Sequence, residues 1–127
     1  MARGDAGARK RRRLSRSGDF DRVYREGTSH ATRQLVLYSF PRREGDSSDV
    51  RLGVSASRKI GGAVERNRVK RALREAFWDL DDKLPPEHDF VLVARPEIGA
   101  TVEAEGTAGV RRCIEEALAG EKGERST

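Results

Sequence analysis

A cluster of cationic side chains in residues 66–74 is the part of this sequence with the clearest chemistry. The segment reads Arg-Asn-Arg-Val-Lys-Arg-Ala-Leu-Arg, and its apolar residues Val69 and Leu73 recur at helical spacing. The opposite face of such a helix holds Asn67, Lys70, Arg71 and Arg74, with Arg66 and Arg68 flanking it. Guanidinium groups bind phosphate oxygens through paired hydrogen bonds, and an amide can bond to base edges or a 2′-hydroxyl. The pattern predicts a helix that packs by one face and offers the other to nucleic acid.

The basic residues of the chain are concentrated in two blocks. Residues 1–16 and residues 58–74 each contain seven Lys or Arg side chains and one acidic side chain, whereas the whole chain of 127 residues carries only +5. Concentrated charge of one sign attracts a polyanion. A merely solvated helix face would mix signs at i,i+4 spacing, and here Glu65 and Glu75 are the only acids near the helix cations. Nucleic acid is therefore the expected partner.

Several other classes of protein do not fit this sequence. It has no run of about 20 apolar residues and no apolar secretory signal, so we expect a soluble cytoplasmic protein with no membrane partner. Cys113 is the one cysteine, and with His30 and His88 it cannot complete a structural zinc site. The stretch from Gly53 to Ser57 lacks the final glycine of a hydrolase nucleophile elbow, which disfavours a serine hydrolase.

The elements that must position the cations follow from the periodicity of the apolar residues. A first helix is expected from a capping Ser17 to a stop at Gly27, with Phe20, Val23 and Tyr24 on one face. Strands are expected at 34–40, 50–57 and 89–95, helices at 63–80 and 110–118, and a loop at 97–109. The strands at 34–40 and 50–57 are expected to pair as an antiparallel hairpin.

These elements predict an α+β fold, a two-layer sandwich of helices on a small, mostly antiparallel sheet. The predicted organisation is a basic disordered arm at residues 1–13, one RNA-binding α+β domain at 14–118 and a polar disordered tail at 119–127.

Two adjoining segments resemble a known family. Residues 53–64, Gly-Val-Ser-Ala-Ser-Arg-Lys-Ile-Gly-Gly-Ala-Val, followed by residues 66–74, closely resemble the signature of the protein subunit of bacterial ribonuclease P. The similarity extends over about residues 14–118, through Phe20 and Tyr24 of the first helix, the strand at 33–38 and the last strand at 89–95.

This resemblance implies an accessory, non-catalytic protein of an endoribonuclease that removes the 5′ leader of precursor tRNA. The catalytic RNA subunit performs the hydrolysis with Mg²⁺, so the protein would carry no catalytic residue and bind no metal ion, and would need no protein oligomer. Binding of the catalytic RNA would fall to Arg58, Lys59, Arg66, Asn67, Arg68, Lys70, Arg71 and Arg74. A cleft for the leader would be lined by Phe20, Tyr24, Tyr38, Ser55 and Ser57. The family fold, like that of the second domain of a small-subunit ribosomal protein, includes a left-handed β-α-β crossover, against the usual right-handed rule.

Two alternatives stay open from the residues alone. A general RNA-binding or ribosome-associated module would carry similar cations, and selectivity for leader-bearing precursor over mature tRNA would separate the two functions. At helical spacing, Phe20 and Tyr24 are also more typical of a core than of a base-stacking surface.

Overall fold

A computed structural model of the chain describes residues 11–14, 17–42, 50–85 and 87–126. The strands are β1 (Arg11–Arg13), β2 (Thr28–Ala31), β3 (Leu35–Pro41), β4 (Val50–Ser55) and β5 (His88–Ala94). The helices are α1 (Ser17–Glu26), α2 (Ala63–Trp78) and α3 (Ile98–Ser126), with a short 3-10 turn at Asp81–Lys83. The predicted α+β class is confirmed. The capping role predicted for the Ser17 side chain lies outside the described residues.

The five strands form one mixed sheet in the order β1-β4-β5-β3-β2. Strand β4 is parallel to β1 and β5, whereas β3 is antiparallel to β5 and β2. The expected hairpin between β3 and β4 is wrong, because β5 lies between them. The sheet is also mixed rather than mostly antiparallel, since α2 connects β4 to β5 as a crossover and leaves the two strands parallel. The left-handed sense of this crossover stays a prediction.

The central strand β5 is apolar on both faces of the sheet. Phe90 and Leu92 pack with the helices α2 and α3, whereas Val91 belongs to a second cluster with Leu14 and Val23. Because alternate residues of a strand point to opposite faces, α1 lies on the other side of the sheet from α2 and α3. The helices therefore cover both faces, and the two-layer prediction is corrected to three layers.

Helix α2 is held to the sheet by the apolar stripe that the sequence predicts. Its buried residues are Val69, Ala72, Leu73, Ala76 and Phe77. The Phe77 ring lies 5.3 Å from the Phe90 ring, measured between centroids. Burial of a side chain of this size contributes about 1.5–3 kcal/mol. This packing sets the rotation of α2 and leaves its cationic side facing outward.

Three terminal and loop segments differ from the predictions. Arg11–Arg13 were expected to be disordered but pair with β4. A strand can form through backbone hydrogen bonds, which the types of its side chains do not reveal. The rest of the expected arm, residues 1–10, lies outside the described part of the chain. The segment 97–109, expected to be a loop, is helical from Ile98 and is interrupted at Gly106, whose φ is +64°. Helix α3 continues to Ser126 through the expected disordered tail, which contains several good helix formers.

Candidate nucleic-acid interface

The residues predicted to bind RNA, which are seven cations and one asparagine, lie on the outer side of α2 and in the turn before it. We call this set the basic face: Arg58, Lys59, Arg66, Asn67, Arg68, Lys70, Arg71 and Arg74. Each of these side chains is exposed or partly exposed, and the stripe centred on Leu73 occupies the buried side. The structure therefore leaves all of them accessible to solvent on α2 and in the turn before it.

The side chains of the basic face are largely unpaired with acids. In the described ranges of the chain, Arg68, Arg71 and the other cations of this set form no salt bridge. Arg66 donates its Nε to the Gly62 carbonyl oxygen at 3.4 Å. By contrast, Arg111 on α3 lies 3.6 Å from an Asp79 carboxylate oxygen. The guanidinium groups of the basic face thus keep their donors available for an external anion.

A tight turn sets where the basic face begins. The Lys59 amide donates to the Ser57 hydroxyl at 3.3 Å, and the Gly61 amide donates to the Arg58 carbonyl at 3.1 Å. Gly61 has a φ of +149°, a conformation that L side chains rarely adopt, so glycine is required there. Since α2 starts immediately afterwards, its positive dipole end adds to the field of Arg58 and Lys59.

On the opposite face of the sheet, α1 packs against the strands and brings together most of the residues predicted to line a cleft. The Phe20 ring lies directly on β4 at Gly53, where a Cβ atom would be 2.4 Å from the ring carbon Cζ. Any larger residue would push α1 away from the sheet. Gly53 is not among the residues predicted for the cleft, although a glycine inside a strand is a signal of such a close approach.

Two tyrosines continue the cleft beyond Phe20. The rings of Tyr24 and Tyr38 meet edge to face with centroids 4.9 Å apart, and the Phe20 and Tyr24 centroids are 6.3 Å apart. Tyr24 is 38% exposed and hydrogen-bonds to Ser55. We call Phe20, Tyr24, Tyr38, Gly53 and Ser55 the α1 cleft. Its exposed aromatic edges and hydroxyls could stack on bases and bond to a nucleic-acid backbone.

The Tyr24 phenol is protonated at neutral pH. Its partial burial raises its pKa, and the neighbouring Tyr38 and Asp21 raise it further, whereas the hydrogen bond from Ser55 opposes the shift. The phenol can therefore donate a hydrogen bond to an acceptor such as a phosphate oxygen.

Ser57 occupies a different position from the rest of the predicted cleft. It lies beyond the end of β4, and its hydroxyl accepts the hydrogen bond from the Lys59 amide. The structure therefore places Ser57 in the turn that leads to the basic face, whereas Ser55, Phe20, Tyr24 and Tyr38 share the cleft.

Other candidate chemistries have little geometric support. Burial raises the pKa of the Cys113 thiol, which disfavours the reactive thiolate. Among the residues that the structure describes, no three His, Cys, Asp or Glu side chains are grouped so as to hold a metal ion. Within the same residues, no helix is both long enough and apolar enough to cross a membrane.

Comparison with known proteins links both surfaces to one family. The sequence profile described as Ribonuclease P matches residues 8–118, which include the basic face and the α1 cleft. The ribonuclease P protein component of Listeria welshimeri is 44% identical over 87 residues, covering 68% of this chain and 71% of that protein. The corresponding protein of Bacillus velezensis is 45% identical over 93 residues, covering 72% of this chain and 76% of its own.

Solved structures agree with the sequence comparison. The Staphylococcus aureus RNase P protein superimposes with a TM-score of 0.74 at 33% identity, over 89% of this chain and 97% of that one. The RNase P protein from Thermotoga maritima gives a TM-score of 0.70 at 30% identity, over 85% and 94% of the two chains. The similarity therefore covers the sheet, the basic helix and the cleft together.

Proposed function

The chain belongs to the ribonuclease P protein family and is a protein component of that ribonucleoprotein, and from this premise we propose how its two surfaces divide the work. The basic face binds the catalytic RNA, and the α1 cleft binds the 5′ leader of precursor tRNA. The protein thereby assists endonucleolytic removal of the leader in the cytoplasm, and it acts without forming a protein oligomer. Mg²⁺ acts through the RNA subunit, which supplies the chemistry.

The single observation that carries this proposal is the unpaired state of the basic face. Cations that already pair with carboxylates gain little from a phosphate, whereas unpaired ones release counterions from RNA when they bind. Arg68 and Arg71 are exposed on successive turns of α2, so the backbone that carries them is already ordered and binding to RNA costs only their side-chain entropy. Such contacts also lower the Mg²⁺ needed to bring two RNAs together, because protein cations replace part of the screening by ions.

The placement of the two surfaces supports simultaneous binding of two RNAs. Helix α2 packs on one face of the sheet and the α1 cleft lies on the other. Strand β4 joins them, since Ser55 ends the strand in the cleft and Arg58 follows in the turn before α2. A leader in the cleft would thus approach the basic face from the other side of the sheet without competing for it.

The chemistry of the cleft favours a single-stranded leader over a duplex. Aromatic side chains can stack on bases only when those bases are free of a helix, and Tyr24 presents its ring and hydroxyl at the opening. Mature tRNA lacks the leader and would not occupy this cleft.

The test is cleavage of a precursor tRNA at low Mg²⁺ by catalytic RNA alone, protein alone and the two together. We expect leader removal in the mixture and none with protein alone. No stimulation of the RNA by a folded protein would contradict the proposal and favour a general RNA-binding or ribosome-associated module.

A further inference from the structure

A buried carboxylate in β5 organises two arginines beside the α1 cleft. Asp89 is fully buried, and its Oδ1 accepts hydrogen bonds from Arg42 Nη1 at 2.6 Å and from Arg51 Nε at 2.7 Å. Its other oxygen, Oδ2, accepts from Arg51 Nη2 at 2.7 Å. Two parallel hydrogen bonds to Asp89 thus hold the Arg51 guanidinium and fix its plane relative to the sheet.

The same guanidinium extends toward α1. Arg51 Nη1 lies 3.6 Å from Asp19 Oδ2, and the other Asp19 oxygen accepts a hydrogen bond from Arg22 Nη2 at 2.6 Å. Asp19 directly precedes Phe20, and Arg51 lies two positions before Gly53 on the same face of β4. The link therefore joins the helix and the strand beside the point where Phe20 touches Gly53.

This ion pair differs from an ordinary surface pair because one partner is already ordered. An arginine at a surface loses side-chain entropy when it forms a salt bridge, but Asp89 has already immobilised Arg51. Among the described residues, α1 contributes one fully buried apolar side chain to this face, Val23, and the partly buried Phe20 packs beside it. The orientation of α1 on the sheet consequently depends on polar contacts as well.

We infer that Arg51 is a positioning residue, which holds α1 at a set distance from β4 through Asp19 and so determines the width of the α1 cleft. Its effect on leader recognition rests on the function proposed above, whereas its effect on α1 does not. The link acts on the cleft and leaves the basic face on the other side of the sheet unchanged.

The test removes the Asp19 carboxylate on α1 and leaves the buried pair of Arg51 and Asp89 intact. Replacing Arg51 itself would leave part of the buried Asp89 charge without a partner, so the variant is Asp19→Asn. Asp19→Glu is the conservative version, because it keeps the carboxylate. Asp21→Asn is the matched control, because it removes the same charge from an exposed position of the same helix.

Two readouts separate positioning from leader binding. Amide hydrogen exchange should become about threefold to fivefold faster in α1 of Asp19→Asn, with α2 unchanged, as expected for loss of the partly exposed ion pairs that Asp19 makes with Arg51 and Arg22. In the complex with catalytic RNA, the preference for precursor over mature tRNA should fall by about the same factor, with the affinity for catalytic RNA retained. Asp19→Glu and Asp21→Asn should behave like the parent.

The outcomes distinguish failure of this inference from failure of the proposed function. Parental exchange in α1 of Asp19→Asn would overturn the positioning role, and so would a leader preference equal to that of the parent. If the parent itself shows no leader preference while exchange in α1 rises, the positioning role stands and the proposed function of the cleft fails.

Discussion

Replacement of Arg68 and Arg71 together by alanine should weaken binding to the catalytic RNA and reduce its salt dependence. Both side chains are exposed on α2, and neither forms a salt bridge within the described residues. Their removal should change the free energy of unfolding by no more than about 0.5 kcal/mol, as is usual for surface substitutions. The variant therefore tests RNA contacts in a folded protein.

The expected magnitude follows from counterion release. Each phosphate contact contributes about 0.7 to 0.9 to the slope of log K against log salt, so two contacts contribute about 1.4 to 1.8. At 0.1 M salt this corresponds to a loss of affinity of about 25- to 60-fold. Between 50 and 200 mM salt, the parent should lose about 7- to 12-fold more affinity than the variant.

The assay is a titration of labelled catalytic RNA with protein at several salt concentrations. The matched control is Arg111→Ala combined with Arg112→Ala, which removes the same charge from exposed positions of α3 where the arginines already pair with Asp79 and Glu105. We expect a near-parental slope for this control. An unchanged slope in the Arg68 and Arg71 variant, or equal changes in both variants, would refute the assignment of the basic face.

Substitutions at three further positions address the cleft and the core. Tyr24→Ala should reduce the preference for precursor over mature tRNA by about 5- to 150-fold, because one stacked base contributes about 1–3 kcal/mol. The measurement is equilibrium binding of the two RNAs, and a preference equal to that of the parent would show that Tyr24 is not part of the site. Because folding raises the pKa of the Tyr24 phenol, this group should leave the stability unaffected in neutral solution and lower it as the pH rises above about 10. In urea unfolding, Tyr24→Phe should lose less stability than the parent over that alkaline range, because it has no phenol to ionise. Gly53→Ala should destabilise the protein by about 1–3 kcal/mol in thermal unfolding, since its Cβ would overlap the Phe20 ring, and an unchanged Tm would contradict that packing. Phe77→Ala should cost about 3–5 kcal/mol in urea unfolding while leaving the basic face chemically intact, and a cost below about 1 kcal/mol would contradict its placement in the core.

The basic helix could be predicted in detail because its pattern is local. Val69 and Leu73 share a face with their helical neighbours whatever surrounds them, so the buried stripe and the outward cations follow directly from spacing. The same holds for β5, whose continuous apolar run requires cover on both faces.

Pairing between strands could not be predicted in the same way. Strand β2 (Thr28–Ala31) is mostly exposed and polar, so it carries no alternating signal, and β1 consists of arginines. The first half of α3 was predicted to be a loop because it contains glycines such as Gly106, although Ile98 and Val110 are both buried against the core. In each case backbone hydrogen bonds or packing against distant residues outweighed the local composition.

The sequence by itself determined the cations of the basic face and the helix that carries them, whereas the cleft residues were expected only from the resemblance to a family. Only the tertiary structure decided that β5 separates β3 from β4, that Phe20 rests on Gly53 and that Arg51 connects the sheet to α1. The reason is physical. Side chains three or four positions apart meet through helix geometry alone, whereas Arg51 and Asp89 are 38 positions apart and meet only because β4 and β5 pair in one particular register.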